Sequence, residues 1–133
     1  MNEEEKQQKL IELQILNQQA EYIRNQIINM CEQVENLQRL REGLKHIGQE
    51  KLNNDMFAPL SSGVFIKASL KDTEEVLVAV GAGVFVKKEI NEVIEMLQEQ
   101  EERMGLLLNQ TKLEFENFAK SASEIEKELS VEQ

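Results

Sequence analysis

The chain has 133 residues, enough for one domain but not for two ordinary globular domains. Aromatic residues are only 5% of it, which excludes a globular core rich in aromatic side chains, and its many leucine, isoleucine, glutamate and glutamine residues favour long helices. The formal net charge of −10 argues against a nucleic-acid backbone or an anionic membrane as the main partner.

Cysteine and histidine usage narrows the class of protein further. The single cysteine, Cys31, and the single histidine, His46, exclude an internal disulfide framework, a cysteine-based zinc site and a histidine cluster. The first residues hold no apolar signal core, and no run of about 18 apolar residues is available to span a bilayer. We therefore expect a cytoplasmic protein with no metal site, no cofactor and no membrane contact.

Residues 1–53 carry a heptad repeat that predicts a coiled-coil helix. The repeat alternates steps of three and four residues without a slip, and nine of its ten positions are apolar. Such a repeat imposes a left-handed supercoil on its helices. The a positions are Leu13, Ala20, Ile27, Val34 and Arg41, and the d positions are Leu16, Ile23, Met30, Leu37 and Leu44.

Residues 54–86 contain an internal repeat that predicts two β-hairpins. Gly-Val-Phe-Ile-Lys at 63–67 returns as Gly-Val-Phe-Val-Lys at 83–87, a spacing of 20 residues. Apolar stretches flank each copy, and each turn, Ser61-Ser62-Gly63 or Gly81-Ala82-Gly83, reads as a three-residue loop ending in glycine. The second turn lacks the lysine and following helix of a phosphate-binding loop.

Four short strands are too few to be stable alone in water, and their edges would be open. We therefore predict that the hairpins pair with strands of other subunits. The residues expected at this assembly surface are Val64, Phe65, Ile66, Leu77, Val78, Val80, Val84, Phe85 and Val86.

Residues 87–133 repeat the heptad pattern and predict a second coiled-coil helix. The d positions are Ile90, Leu97, Met104, Thr111, Phe118 and Ile125, and the a positions are Ile94, Glu101, Leu108, Phe115, Ala122 and Leu129. Glu101, which has no second carboxylate placed to pair with it, is interpreted as a register or solvation device and not as a catalytic acid. Two such helices flanking a compact insert predict an intramolecular antiparallel coiled coil, so the fold class is α+β and the three segments form one structural unit.

Both chain ends would meet at the tip of the coiled coil, which is rich in apolar residues. Leu10, Ile11 and Ile15 lie off the a/d seam, so the seam alone does not account for them. Two readings stay open for the tip: ordinary coiled-coil packing, or contact with a client protein. The candidate tip residues are Leu10, Ile11, Leu13, Ile15, Leu16, Phe118, Ile125, Leu129 and Val131.

The combination of two coiled-coil arms and two tandem hairpins resembles the prefoldin family, and its α type in particular. The stretches that carry the resemblance are residues 59–66, Pro-Leu-Ser-Ser-Gly-Val-Phe-Ile, and residues 77–86, Leu-Val-Ala-Val-Gly-Ala-Gly-Val-Phe-Val. The family commonly has proline where this chain has Ala79. Two hairpins favour the α type, because β-type subunits have one.

The resemblance implies a specific assembly and activity. Two α and four β subunits would form a hexamer in which the hairpins build an inter-subunit double β-barrel and six coiled coils project from it. The tips and cavity would hold unfolded polypeptides and pass them to a group II chaperonin, with no nucleotide consumed.

Four classes of function remain to be compared. A chaperone subunit that holds unfolded clients is the leading hypothesis, and the alternative is a scaffolding coiled coil with one fixed protein partner. A nucleic-acid-binding arm would require basic faces that the charge of −10 does not provide. An enzyme has the least support, since the sequence shows no nucleophile paired with a general base and no cofactor-binding loop.

Overall fold

The computed structural model describes residues 2–131, so Met1, Glu132 and Gln133, at the ends of the predicted helical segments, lie outside the described residues. The elements in chain order are helix α1 (Glu3–Gln49), strands β1 (Asp55–Ser61), β2 (Val64–Ser69), β3 (Glu75–Gly81) and β4 (Val84–Glu89), and helix α2 (Ile90–Val131). Two long helices with two antiparallel hairpins between them confirm the predicted fold class.

Helix α1 begins with a side-chain cap and ends earlier than predicted. The side-chain oxygen of Asn2 accepts the N–H of Glu5 at 2.8 Å, which satisfies one of the free donors of the first turn. The helix ends at Gln49 and not at residue 53. Asn53 has a left-handed backbone (φ 65°) and donates its N–H to the carbonyl of Leu70 at 2.6 Å, so these residues form a turn instead.

Helix α2 begins at Ile90, three residues later than predicted. Lys87 and Lys88 belong to β4, where they lie opposite Leu77 and Val76 in the strand ladder. The N–H of Ile90 donates to the carbonyl of Glu74 at 2.8 Å and ends this ladder at the start of the helix. Cross-strand pairing therefore outcompetes helix formation at residues 87–89.

The two hairpins share one register, but their turns are shorter than predicted. Pro59 lies opposite Phe65 and Ala79 opposite Phe85, and a bulge follows each pair on the first strand. The turns contain two residues, Ser62-Gly63 and Ala82-Gly83, because the expected first loop residue belongs to the bulged strand. Ala82 (φ 51°) occupies a left-handed conformation that non-glycine residues adopt only at a cost.

A side-chain hydrogen-bonded turn connects the hairpins. The carboxylate of Asp72 accepts the backbone N–H of Glu74 at 2.8 Å and that of Glu75 at 3.1 Å. Both bonds lower the pKa of the Asp72 carboxyl below its usual value, and the bond from Glu74 has the larger effect. The turn is therefore favoured above the pKa that Asp72 has in the unfolded chain, and its stabilisation is lost as the pH falls through the lower, folded pKa.

The described chain divides into two compact units, of which unit 1 is a helix pair made of residues 2–35 and 102–131. The two helices run antiparallel. Lys9, near the start of α1, contacts Glu128, near the end of α2. Further along α1, Ile23 lines a cleft with Glu114, which comes before Glu128 in α2. Every predicted a and d position of these segments is buried or half-buried, with Ile23, Ala122 and Ile125 the most buried apolar residues. The heptad seam is thus the core of unit 1.

Unit 2 comprises residues 36–101 and holds both hairpins together with the adjoining helix ends. Its core consists of Leu44 from α1 and Ile90, Val93 and Leu97 from α2. Half-buried apolar residues pack around this core, including two from β3: Leu37, Ile47, Ile94, Val76 and Val78. The second hairpin is therefore anchored to the helices through one face of β3.

Candidate binding and assembly surfaces

The two charged exceptions in the heptads form an ion pair inside unit 2. Arg41 Nε donates to a carboxylate oxygen of Glu101 at 2.9 Å, and the two side chains are only 19% and 13% exposed. Sequence reasoning identified both residues as exceptions, but it did not pair them. The Oε1 atom of Glu101 is buried and has no hydrogen-bond partner within residues 2–131. The pair is a structural layer between the helices.

Thr111, the other polar exception, is satisfied within its own helix. Its hydroxyl donates to the carbonyl of Leu107 at 2.8 Å, one turn earlier in α2. This bond removes the penalty for burying the hydroxyl in the seam of unit 1.

One end of unit 1 carries both the start of α1 and the end of α2. Lys9 Nζ lies 3.1 Å from Glu128 Oε2, and this contact joins the two helices across the end of the seam. The hydrogen bond and charge of Glu128 raise the pKa of the Lys9 ammonium above its ordinary value. Both side chains are partly exposed, so the ion pair is screened by water and contributes little stability.

The nine predicted tip residues fall into two groups at this end. Four lie in the open on the helix surfaces: Leu10, Ile11, Ile15 and Val131. Five lie in the seam, where Ile125 is buried and the others are half-buried: Leu13, Leu16, Phe118, Ile125 and Leu129. In this arrangement the seam of the described residues is closed, and only the first group is available for contact without a conformational change.

The assembly residues predicted on the hairpins are almost all exposed. Val64, Phe65, Ile66, Leu77, Val80, Val84, Phe85 and Val86 each show a large part of their apolar surface. Val78 differs, because it is half-buried against the helix core of its own unit. Neither sheet closes on itself within the described chain, and each has only two strands, as the predicted inter-subunit barrel requires.

Sequence reasoning missed two groups of exposed apolar residues. Phe57 and Leu60 of β1 are exposed beside the predicted assembly residues, and Phe57 stands 20 residues before Leu77, so the internal repeat could have identified it. Leu106, Leu107 and Leu113 are exposed on α2 outside the seam. Leu106 and Leu113 are one heptad apart at a position opposite the seam, where the pattern normally has polar residues.

No group of three or more histidine, cysteine, aspartate or glutamate side chains within residues 2–131 is arranged to hold a metal ion. Neither helix in that range has a stretch long and apolar enough to cross a bilayer.

Comparison with known families identifies related proteins across nearly the whole chain. The prefoldin subunit family profile matches residues 16–133. Prefoldin subunit alpha 1 of Methanocaldococcus jannaschii is 30% identical over 129 residues, which cover 97% of this chain and 88% of the relative. The prefoldin subunit alpha of Archaeoglobus fulgidus is 29% identical over 140 residues, covering 99% and 96%.

A solved structure has the same fold. The chain superimposes on a chain from the cryo-EM structure of filamentous PFD from Methanocaldococcus jannaschii with a TM-score of 0.74 and 14% sequence identity. The match covers 86% of this chain and 95% of that one.

Proposed function

Because the chain belongs to the prefoldin family, we propose that it acts as the α-type subunit of an ATP-independent chaperone that holds unfolded polypeptides. In this proposal two copies assemble with four β-type subunits through the hairpins, which close into a β-barrel between subunits. The complex delivers its clients to a group II chaperonin in the cytoplasm, and it catalyses no reaction.

The observation that carries this proposal is the apolar surface beside the Lys9–Glu128 ion pair. Leu10, Ile11 and Ile15 are exposed there although they lie off the coiled-coil seam, so packing within the protomer does not explain them. Burying one such side chain against a client contributes about 1.5–3 kcal/mol, which is weak and reversible. Several subunits acting on one client raise the apparent affinity through effective concentration, so release needs no nucleotide.

The net charge of the chain supports the proposed chaperone function. The chain carries −10, and 11 of its 24 described acidic side chains, all of them glutamate, lie at residues 87–131. A strongly charged surface keeps a protein soluble while a small apolar region remains exposed.

The test is suppression of aggregation of a denatured protein by the α–β complex. Replacing Leu10, Ile11 and Ile15 with serine should greatly reduce suppression and leave assembly intact, since these side chains make no core of the protomer. The matched control is Leu106→Ser with Leu107→Ser and Leu113→Ser, which removes exposed apolar residues of the same helix pair away from Lys9 and Glu128.

Full suppression by the first variant would contradict the proposed client surface. Loss of suppression only in the control variant would instead assign the client surface to Leu106, Leu107 and Leu113.

A further inference from the structure

A cleft of about 440 Å³ lies between the two helices of unit 1. Ile23, one of its lining residues, is buried, and two others, Ile15 and Tyr22, are exposed apolar side chains exactly one heptad apart on α1. Ile15 also belongs to the client surface proposed above. The cleft therefore continues that surface along the helix pair.

The lining of the cleft is almost uncharged, although the whole chain carries −10. Glu114 of α2 is the only charged residue among the described residues that line it, and its other polar residues are Gln18, Gln19 and Gln26. Gln19 and Gln26 occupy g positions of the heptad, where coiled coils often have glutamate or lysine. The cleft therefore suits a ligand that is polar but uncharged.

The amide groups at the two g positions are available to such a ligand. Neither Gln19 nor Gln26 makes a side-chain hydrogen bond within residues 2–131. A glutamine side chain carries an NH₂ group that donates and an oxygen that accepts. Every peptide group other than that of proline likewise offers one donor and one acceptor, so a glutamine can pair with either side of it.

The spacing of the two glutamines matches an extended polypeptide. Seven residues of helix separate Gln19 from Gln26, an axial distance of about 10.5 Å. Three residues of an extended chain span about 10 Å. Both amides can thus contact one extended segment while Ile15 and Tyr22 contact its side chains.

We propose that this cleft binds an extended segment of an unfolded polypeptide by its backbone, and that Gln19 and Gln26 are the residues that recognise it. The inference rests on the proposed chaperone function and names the class of client segment. Peptide groups that leave water for an apolar cleft cost free energy unless they find hydrogen-bond partners. The glutamines supply partners whatever the client sequence is.

Backbone recognition also explains how unfolded segments are distinguished from folded ones. The peptide groups of a helix or a paired strand are already hydrogen-bonded, so they gain nothing from Gln19 and Gln26. An extended, unpaired segment gains both bonds. Selection by conformation needs no nucleotide and no particular client sequence.

A pair of synthetic peptides tests this recognition in the full-length chain. The probe is a short fluorescent peptide of alternating leucine and serine, and its analogue has ester linkages in place of the central peptide bonds. The ester removes N–H donors and keeps the side chains. We expect the ester analogue to bind about tenfold more weakly by fluorescence anisotropy, the change that one or two net hydrogen bonds produce.

Substitution of the glutamines assigns the effect to the cleft. Gln19→Leu with Gln26→Leu should bring the affinities of the two peptides close together, because neither then finds an amide partner. Gln7→Leu with Gln14→Leu is the matched control, since these glutamines are also exposed on α1 and one heptad apart but do not line the cleft. The control should keep the tenfold difference, and circular dichroism checks that both variants are folded.

Three results would overturn backbone recognition. They are equal binding of the peptide and its ester analogue by the native chain, an undiminished difference in the folded Gln19→Leu and Gln26→Leu variant, and tighter binding of a peptide with the same apolar content locked as a helix by a side-chain lactam. The last result would assign the cleft to a helical partner.

Aggregation suppression by the α–β complex is measured separately. Equal binding of the two peptides, with Leu10, Ile11 and Ile15 still required for suppression, would refute the role of the glutamines and leave the chaperone function standing. A complex that suppresses no aggregation would refute the chaperone function itself.

Discussion

At the level of single residues, Arg41 and Glu101 form a charged layer in a seam that is otherwise largely apolar. Each is the polar exception at an a position of its helix, and each is the other's partner at 2.9 Å. A buried ion pair contributes less to net stability than to specificity, because desolvation offsets most of the attraction. We interpret the layer as a device that discriminates against other helix registers, since a shifted register would leave both charges buried and unpaired.

Removing one member of the pair should be much more damaging than removing both. Arg41→Leu leaves the Glu101 carboxylate buried without its cation, so we expect the free energy of unfolding to fall by about 3 kcal/mol. The double variant Arg41→Leu with Glu101→Leu should recover most of this loss, because an apolar layer replaces the charged one. Urea unfolding followed by circular dichroism at fixed protein concentration measures the effect, and equal stability of the single variant and the native chain would refute it.

At the level of elements, heptad spacing predicted both helices, but neighbouring hydrogen bonds determined where they end. The a/d positions became the seam because a 3.5-residue repeat brings them onto one face of each helix. The N–H of Asn53, just after α1, donates to Leu70, and the N–H of Ile90, at the start of α2, donates to Glu74; both acceptors lie in the segment between β2 and β3. Since those partners lie far away in the sequence, the local sequence did not reveal the boundaries.

Two glycines inside the helices make a direct prediction about helix stability. A Cβ added at Gly43 or Gly105 would meet no atom within 4 Å, and both residues have helical backbones. Gly43→Ala and Gly105→Ala should each raise the free energy of unfolding by about 0.5–1 kcal/mol, because alanine loses less backbone entropy on folding. Thermal unfolding checks this expectation.

Gly63→Ala is the control for the glycine effect. Gly63 also has open space around its Cβ position, but its φ of +80° disfavours any side chain. This variant should lose about 1 kcal/mol. A loss of stability in Gly43→Ala or Gly105→Ala would show that another subunit covers the helix at that position.

At the level of the whole molecule, much of the apolar surface of the hairpins has no partner within the protomer. Phe65 and Phe85 are exposed at matching positions of the two hairpins, opposite Pro59 and Ala79. Apolar surface of this kind marks sites of association between proteins. This exposed surface is consistent with the proposal that other subunits complete the core.

Placing charges on these two phenylalanines should prevent assembly without unfolding the helices. We expect Phe65→Asp with Phe85→Asp to yield soluble, helical protein that no longer forms the complex with β-type subunits, since each carboxylate would be desolvated at the interface. Light scattering measures the particle mass. Ser62→Asp with Ala82→Asp adds the same charge at the turns and should still assemble, and an intact complex in the phenylalanine variant would exclude the strands as the interface.

The sequence by itself determined the element types, the helix seams and the hairpin repeat, because periodicity and turn chemistry are local properties. It also identified Leu10, Ile11 and Ile15 as off the seam, and the structure places them in the open. Only the tertiary structure decided that Arg41 meets Glu101 and that Ile125 is buried. These features depend on which residues of distant segments lie opposite each other, and that register follows from packing and hydrogen bonding between elements.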